Sequence, residues 1–188
     1  MRRIASFAFA CVLSLSACSG AGSVLSTGGR SKPDKVIITV VGPSNVARVL
    51  PGASIPLSAT AVIGGQNGTS TVNRFVWSAS LVTSGSYVAN TDGGTKPCND
   101  VTVTSGGVTQ PYGTDFSIDI TIDPTNEANV LFTAPTSIAA PPGATLATNY
   151  PYCVVVTANA LSGSSSSAQM LATGSIVVAV VNPAAPEQ

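Results

Sequence analysis

The chain has 188 residues, enough for one domain of ordinary size, and only 9% of them are charged, against about a quarter in typical soluble domains. Eight Lys and Arg balance eight Asp and Glu, so no basic patch offers a footprint for nucleic acid. Histidine is absent, which removes the commonest general base and the commonest metal ligand together and argues against an enzyme or a cofactor-dependent protein.

The chain opens with a positive segment, Met1-Arg2-Arg3, followed by an apolar stretch from Ile4 to Leu15 that is too short to cross a bilayer as a helix. Leu15-Ser16-Ala17-Cys18 comes next. This N-terminus resembles a bacterial lipoprotein signal peptide, whose lipobox is Leu, a small residue, Ala and an obligatory Cys. The resemblance covers residues 1–18. It implies removal of residues 1–17, diacylglycerol on the Cys18 thiol and acylation of the new amino terminus, so that the lipid bilayer is a partner. Three acyl chains, at about 0.8 kcal/mol per buried methylene, exceed what stable anchoring requires. The alternative is an ordinary secretory signal with a Cys there by chance. Ser19, rather than Asp, implies the outer membrane under the usual sorting rule of Gram-negative cells. Residues 18–32 then read as the lipidated Cys and a flexible Gly/Ser tether with an r.m.s. span on the order of 20 Å.

The body, residues 33–182, reads as strands. Lys35 to Val41 is the first, closed by Gly42-Pro43. Ile55, Leu57, Ala59, Ala61 and Ile63 alternate with Pro56, Ser58, Thr60 and Val62, the period of a half-buried strand, and Gly64-Gly65-Gln66-Asn67-Gly68 ends it. Asn73 to Ala79 places Phe75 and Trp77 on one face, where Trp77 is expected as a core anchor rather than a sugar-stacking ring. Weaker strands are expected at Ser86–Ala89 and Val101–Thr104. Asp115 to Asp123 alternates, with Phe116, Ile118, Ile120 and Ile122 facing one way and Asp115, Asp119 and Asp123 the other. Asn129 to Thr133, Tyr152 to Ala158 and a final stretch from Ser167 to Val181 complete the set, with Gly174 expected to introduce a bulge or bend. Residues 183–188 are Pro/Ala-rich and expected to be disordered. Short strands divided by Gly, Pro and Asn turns, with no helical period sustained in the body, point to an all-β antiparallel sandwich of about seven to nine strands.

Ile38-Thr39-Val40, Pro51-Gly52, Val76-Trp77, Thr133-Ala134-Pro135 and Val156-Thr157-Ala158 occur in this order. In that order they resemble bacterial immunoglobulin-like domains over about residues 34–182. The resemblance implies an immunoglobulin-like sandwich with a binding or spacing role, and it supplies no functional residues. Two departures stand out. The segment from Ser80 to Asn129 is longer than the family's, and the Tyr-x-Cys corner is missing, since Tyr152 directly precedes Cys153.

Four cysteines are present. Cys11 leaves with the signal peptide and Cys18 takes lipid, which leaves Cys98 and Cys153 as an expected disulfide in an oxidising compartment. On the entropic account a bridge of that span constrains the unfolded chain by roughly 4 kcal/mol. If Tyr152, Val154 and Val156 face the core, Cys153 faces outward, and Cys98 pins the Ser80–Asn129 excursion to the outside of that strand.

The remaining chemistry is sparse. Asp115, Asp119 and Asp123 share a strand face at roughly 13 Å intervals, too far apart for one calcium ion or a glycosidase pair, and read as a solvated surface. Asp123, Asn126 and Glu127 are close enough in sequence to be a calcium candidate, although without the Gly and regular acidic spacing of a calcium loop. No Gly-x-Ser-x-Gly occurs, and no Gly pair opens a phosphate-binding helix. Asn67-Gly68-Thr69 matches a glycosylation sequon, a chance match in a bacterial chain. The expected function is a membrane-anchored, non-catalytic interaction or spacer module for an envelope protein. The alternative is a glycan-binding module, for which Tyr87, Tyr112 and Tyr150 are the candidate aromatics.

Overall fold

A computed structural model describes residues 33, 35–42, 46–62, 74–82, 85–88, 94–112, 118–123, 126–162, 169–182 and 184. Ile63, Asn67, Asn73, Asp115 and Phe116, the signal sequence with Cys18, and most of the 183–188 tail lie outside the described residues. All regular structure within them is β. Thirteen strands are present among the described residues. In chain order they are β1 (Lys35–Val40), β2 (Arg48–Val49), β3 (Ser54–Val62), β4 (Phe75–Val82), β5 (Gly85–Val88), β6 (Thr95–Cys98) and β7 (Val101–Ser105). There follow β8 (Val108–Pro111), β9 (Ile120–Ile122), β10 (Asn129–Thr133), β11 (Thr145–Thr148), β12 (Tyr152–Ser162) and β13 (Gln169–Val180).

Two four-stranded sheets form the sandwich, in the orders β1-β3-β10-β9 and β2-β13-β12-β4. Every pair in them is antiparallel except β2 with β13. This is the immunoglobulin-like arrangement, one sheet of four and one of three, extended here by the two-residue β2. The alternation that marked the strands also builds the core. Ile55, Leu57, Ala59 and Ala61 of β3 are buried, as are Phe75, Trp77, Ala79 and Leu81 of β4 and Tyr152, Val154, Val156, Ala158 and Ala160 of β12. They share one cluster with Val130 and Phe132 of β10. Large side chains sit beside small ones: Trp77 is opposite Ala158, and Phe75 opposite Ala160. That pairing lets the rings fill the layer without overpacking. The Trp77 indole donates to the Glu127 carbonyl at 2.8 Å, so its polar atom is satisfied, as a buried Trp requires.

The strand count exceeds the seven to nine expected, because five strands lie outside the two main sheets. β5 and β6 form a hairpin ribbon, and β11, β7 and β8 a three-stranded sheet. The β7–β8 turn has Gly106 and Gly107 at φ of 59° and 81°, the left-handed pair that a two-residue hairpin turn needs. Among its described residues, the excursion from Ser80 to Asn129 therefore supplies four of these five strands, β5 to β8. Short polar strands such as β8, exposed throughout, carry no burial pattern that could reveal them.

Gly174 makes no bulge. It lies in register opposite Ala158, and the ladder slips instead between Ala160 and Leu161. The glycine serves close approach: a Cβ at position 174 would lie 2.7 Å from the Val36 carbonyl carbon and 2.9 Å from the Val36 Cβ. β1 thus crosses directly over β13, which a side chain there would forbid. The apolar row of the Asp115–Asp123 segment also departs from expectation. Ile118 is buried and Ile120 partly so, but Ile122 is 45% exposed because β9 runs past the edge of the core.

Candidate functional site

Cys98 and Cys153 form a disulfide, with Cα atoms 5.6 Å apart and 55 residues between them in sequence. Tyr152 and Val154 face the core, so Cys153 faces the outside of the β12 sheet, where it is fully buried. The β5–β6 ribbon covers it. Tyr87, Cys98, Cys153, Ala179 and Val181 make a second apolar cluster, with Val82 and Val177 packed against it. Asn99 ties the end of the ribbon to the same place: its amide nitrogen donates to the Tyr150 carbonyl and its backbone N–H to the Pro151 carbonyl, each at 2.7 Å. The bridge does pin the excursion onto the outer face.

The three tyrosines do not form an exposed aromatic surface. Tyr87 is only 3% exposed and belongs to the cluster under the ribbon, so it presents no ring face to a sugar. Its alternation within β5 turns it toward Cys153. Tyr112 is half-buried against the main core and donates its hydroxyl to the Ala139 carbonyl at 3.1 Å. Tyr150 is also half-buried, its ring centroid 5.5 Å from that of Tyr152. Burial, and next the neighbouring Tyr150, holds the Tyr152 phenol well above its ordinary 10.0.

Of the calcium candidate Asp123, Asn126 and Glu127, the last two have partners within the chain. The Asn126 side-chain oxygen accepts from the Ala128 N–H at 2.9 Å and its carbonyl from the Asn129 N–H at 3.0 Å, which shapes the turn from β9 into β10. Glu127 reaches Arg74 at 3.7 Å in a partly exposed ion pair, and its carbonyl takes the Trp77 indole. No group of three or more His, Cys, Asp or Glu comes together among the described residues.

What sequence reasoning passed over is the outer face of the β1-β3-β10-β9 sheet. The pairing registers align Val41, Pro56, Leu131 and Thr121 as one row across four strands. Val41 is 50% and Leu131 42% exposed. The row floors a hollow of about 560 Å³ that reaches Asn129 and Asp123. A second hollow of about 500 Å³ adjoins it at Thr121 and runs to Thr133, Thr136, Ser137 and Asp119. Period-two alternation in the sequence identifies this face as the outer one. It carries no sign that β9 ends this sheet among the described residues or that Thr121 lines both hollows. In comparisons with known proteins, no family model and no curated protein matches the chain.

Proposed function

We propose that the chain is a lipid-anchored lipoprotein of the bacterial cell envelope, held outside the cytoplasm by acylated Cys18, whose immunoglobulin-like sandwich is a non-catalytic interaction or spacer module. The observation that carries the reading is the Cys98–Cys153 bridge, buried between the β5–β6 ribbon and the sheet. Such a bridge forms and persists in oxidising compartments, the destination that the N-terminal lipobox also specifies. Ser19 beside the lipidated residue favours the outer membrane. The non-catalytic part is supported by the lack of histidine in the whole chain and by polar side chains that serve turns and cross-strand bonds. Labelled palmitate given to cells that express the chain is expected to appear on it and to vanish with Cys18→Ala. An unlabelled chain, or label that survives that substitution, overturns the anchor.

A further inference from the structure

We propose that β11 is a dimerisation edge: two copies of this chain join antiparallel through Leu146 to Thr148, so that the β8-β7-β11 sheet of one runs on into the β11-β7-β8 sheet of the other. This names the partner of the interaction module as a second copy of the chain and so rests on that reading. Three observations carry it.

The first is the direction of the main chain. The Tyr112 N–H donates to the Val101 carbonyl at 2.6 Å, so Val101 turns its polar groups toward β8. In an antiparallel ladder that direction alternates with each residue. Thr102 and Thr104 therefore turn toward β11, where they stand opposite Ala147 and Thr145. Leu146 and Thr148 point the other way, off the edge of the sheet. Their outward N–H and C=O groups have no partner among the described residues. The chain on both sides of β11, residues 126–162, is described throughout. The free stretch is short: the Ala144 N–H donates to the Pro141 carbonyl, and the Tyr150 carbonyl accepts from the Asn99 side chain.

The second is composition. Charge and proline are what keep sheet edges from pairing. β1 carries Lys35, β8 carries Pro111, and β9 lies between Asp119 and Asp123. β11 reads Thr-Leu-Ala-Thr and carries neither. No Asp, Glu, Lys or Arg occurs from Ala128 to Pro186, nor in β7 or β8. The strands of this sheet therefore hold no charge that repels an identical sheet or selects a charged partner.

The third is register. Residues that point outward must meet residues that point outward. A two-fold axis beside Ala147 sets Leu146 opposite Thr148 of the second copy, and Thr148 opposite its Leu146. Each of these pairs exchanges both of its N–H···O bonds. The edge is thus complementary to itself. Ala147 meets its own copy at the position without hydrogen bonds, where Cα atoms approach to about 4.5 Å. So few bonds make a weak dimer in free solution, and anchoring of both copies to one membrane surface raises their effective concentration.

The test is cysteine crosslinking of the full chain in intact cells, with copper–phenanthroline as oxidant, read on non-reducing gels against the unsubstituted chain. Ala147→Cys places two thiols across the axis, and about 4.5 Å between Cα atoms is a span that a disulfide bridges. Thr145→Cys, on the same strand face, places them on the order of 13 Å apart along the strand. Ala147→Cys is expected to give a crosslinked dimer roughly tenfold more abundant than Thr145→Cys gives. Thr148→Pro, added to Ala147→Cys, removes an outward donor without removing a β7 bond and is expected to abolish the dimer. Retention of the Cys98–Cys153 bridge in the double variant shows that it folds; if the bridge is lost, the two single variants decide. The proposal is overturned by no dimer from Ala147→Cys, by equal dimer from Thr145→Cys, or by a crosslink to a protein of another size. A dimer that survives Thr148→Pro in a folded chain overturns it too. Palmitate labelling is scored on the same cells. Label without the dimer sinks only the shared edge, and the dimer without label sinks only the anchor.

Discussion

Position 174 shows how one atom governs the way the sheets meet. Val36 is a core residue, and its backbone occupies the space that a Cβ on residue 174 would take. Gly174→Ala must push β1 away from β13, an overpacking that costs about 1–3 kcal/mol. Ser175→Ala, at the exposed neighbouring position, is expected to stay within about 0.5 kcal/mol. Urea unfolding of the two variants measures the difference, and equal midpoints would refute the close-approach account. Tyr152 gives a second test at this scale. Its phenol is buried in the core with its proton-binding strength raised first by burial and then by Tyr150. The folded state holds this proton more tightly than the unfolded state does. Its contribution to stability is therefore complete below the ordinary 10.0 and is lost as pH climbs above that value. Ultraviolet titration of the protein and of Tyr152→Phe should differ by a phenol that ionises only together with unfolding. Identical titration curves for the two would contradict the assignment to Tyr152.

Among the elements, the β5–β6 ribbon depends most on a single tie. Its apolar contribution to the second cluster is Tyr87 and Cys98, against Cys153, Ala179 and Val181 beneath. Replacing both cysteines with Ala is expected to cost about 4 kcal/mol on the entropic account of a 55-residue closure. The loss should be uneven: amide exchange accelerates in β5 and β6, while β12 and β13 keep their protection until global unfolding. Uniform acceleration would show that the ribbon is part of the main cooperative unit. The outward direction of Cys153 was legible in advance, because period two forces it once Tyr152 and Val154 are assigned to the core. So were β1, β3, β4, β10 and β12, each of which buries alternate residues. β2 was not, since two residues have no period, and neither was β8, which buries nothing. Gly174 was misjudged because a strand glycine reads alike whether it permits a bulge or another backbone. The edge of β9 escaped for a related reason: alternation describes the faces of a strand and is silent about its neighbours.

Across the whole molecule, one continuous core joins both sheets, and a smaller one lies under the ribbon. The ribbon covers the part of one outer face around Cys153, Ala179 and Val181, while Val76 on the same face and Ile37, Val41 and Leu131 on the opposite one stay exposed. The staple and the anchor together require export, signal cleavage and oxidation, and all three leave their mark on the mass of the mature chain. Intact mass spectrometry of protein extracted from membranes, with and without reductant, reads them together. The account predicts a chain that begins at Cys18, heavier by a diacylglycerol and an acyl group, and heavier again by two hydrogens after reduction. A full-length chain without lipid, or a mass that reductant leaves unchanged, would contradict it.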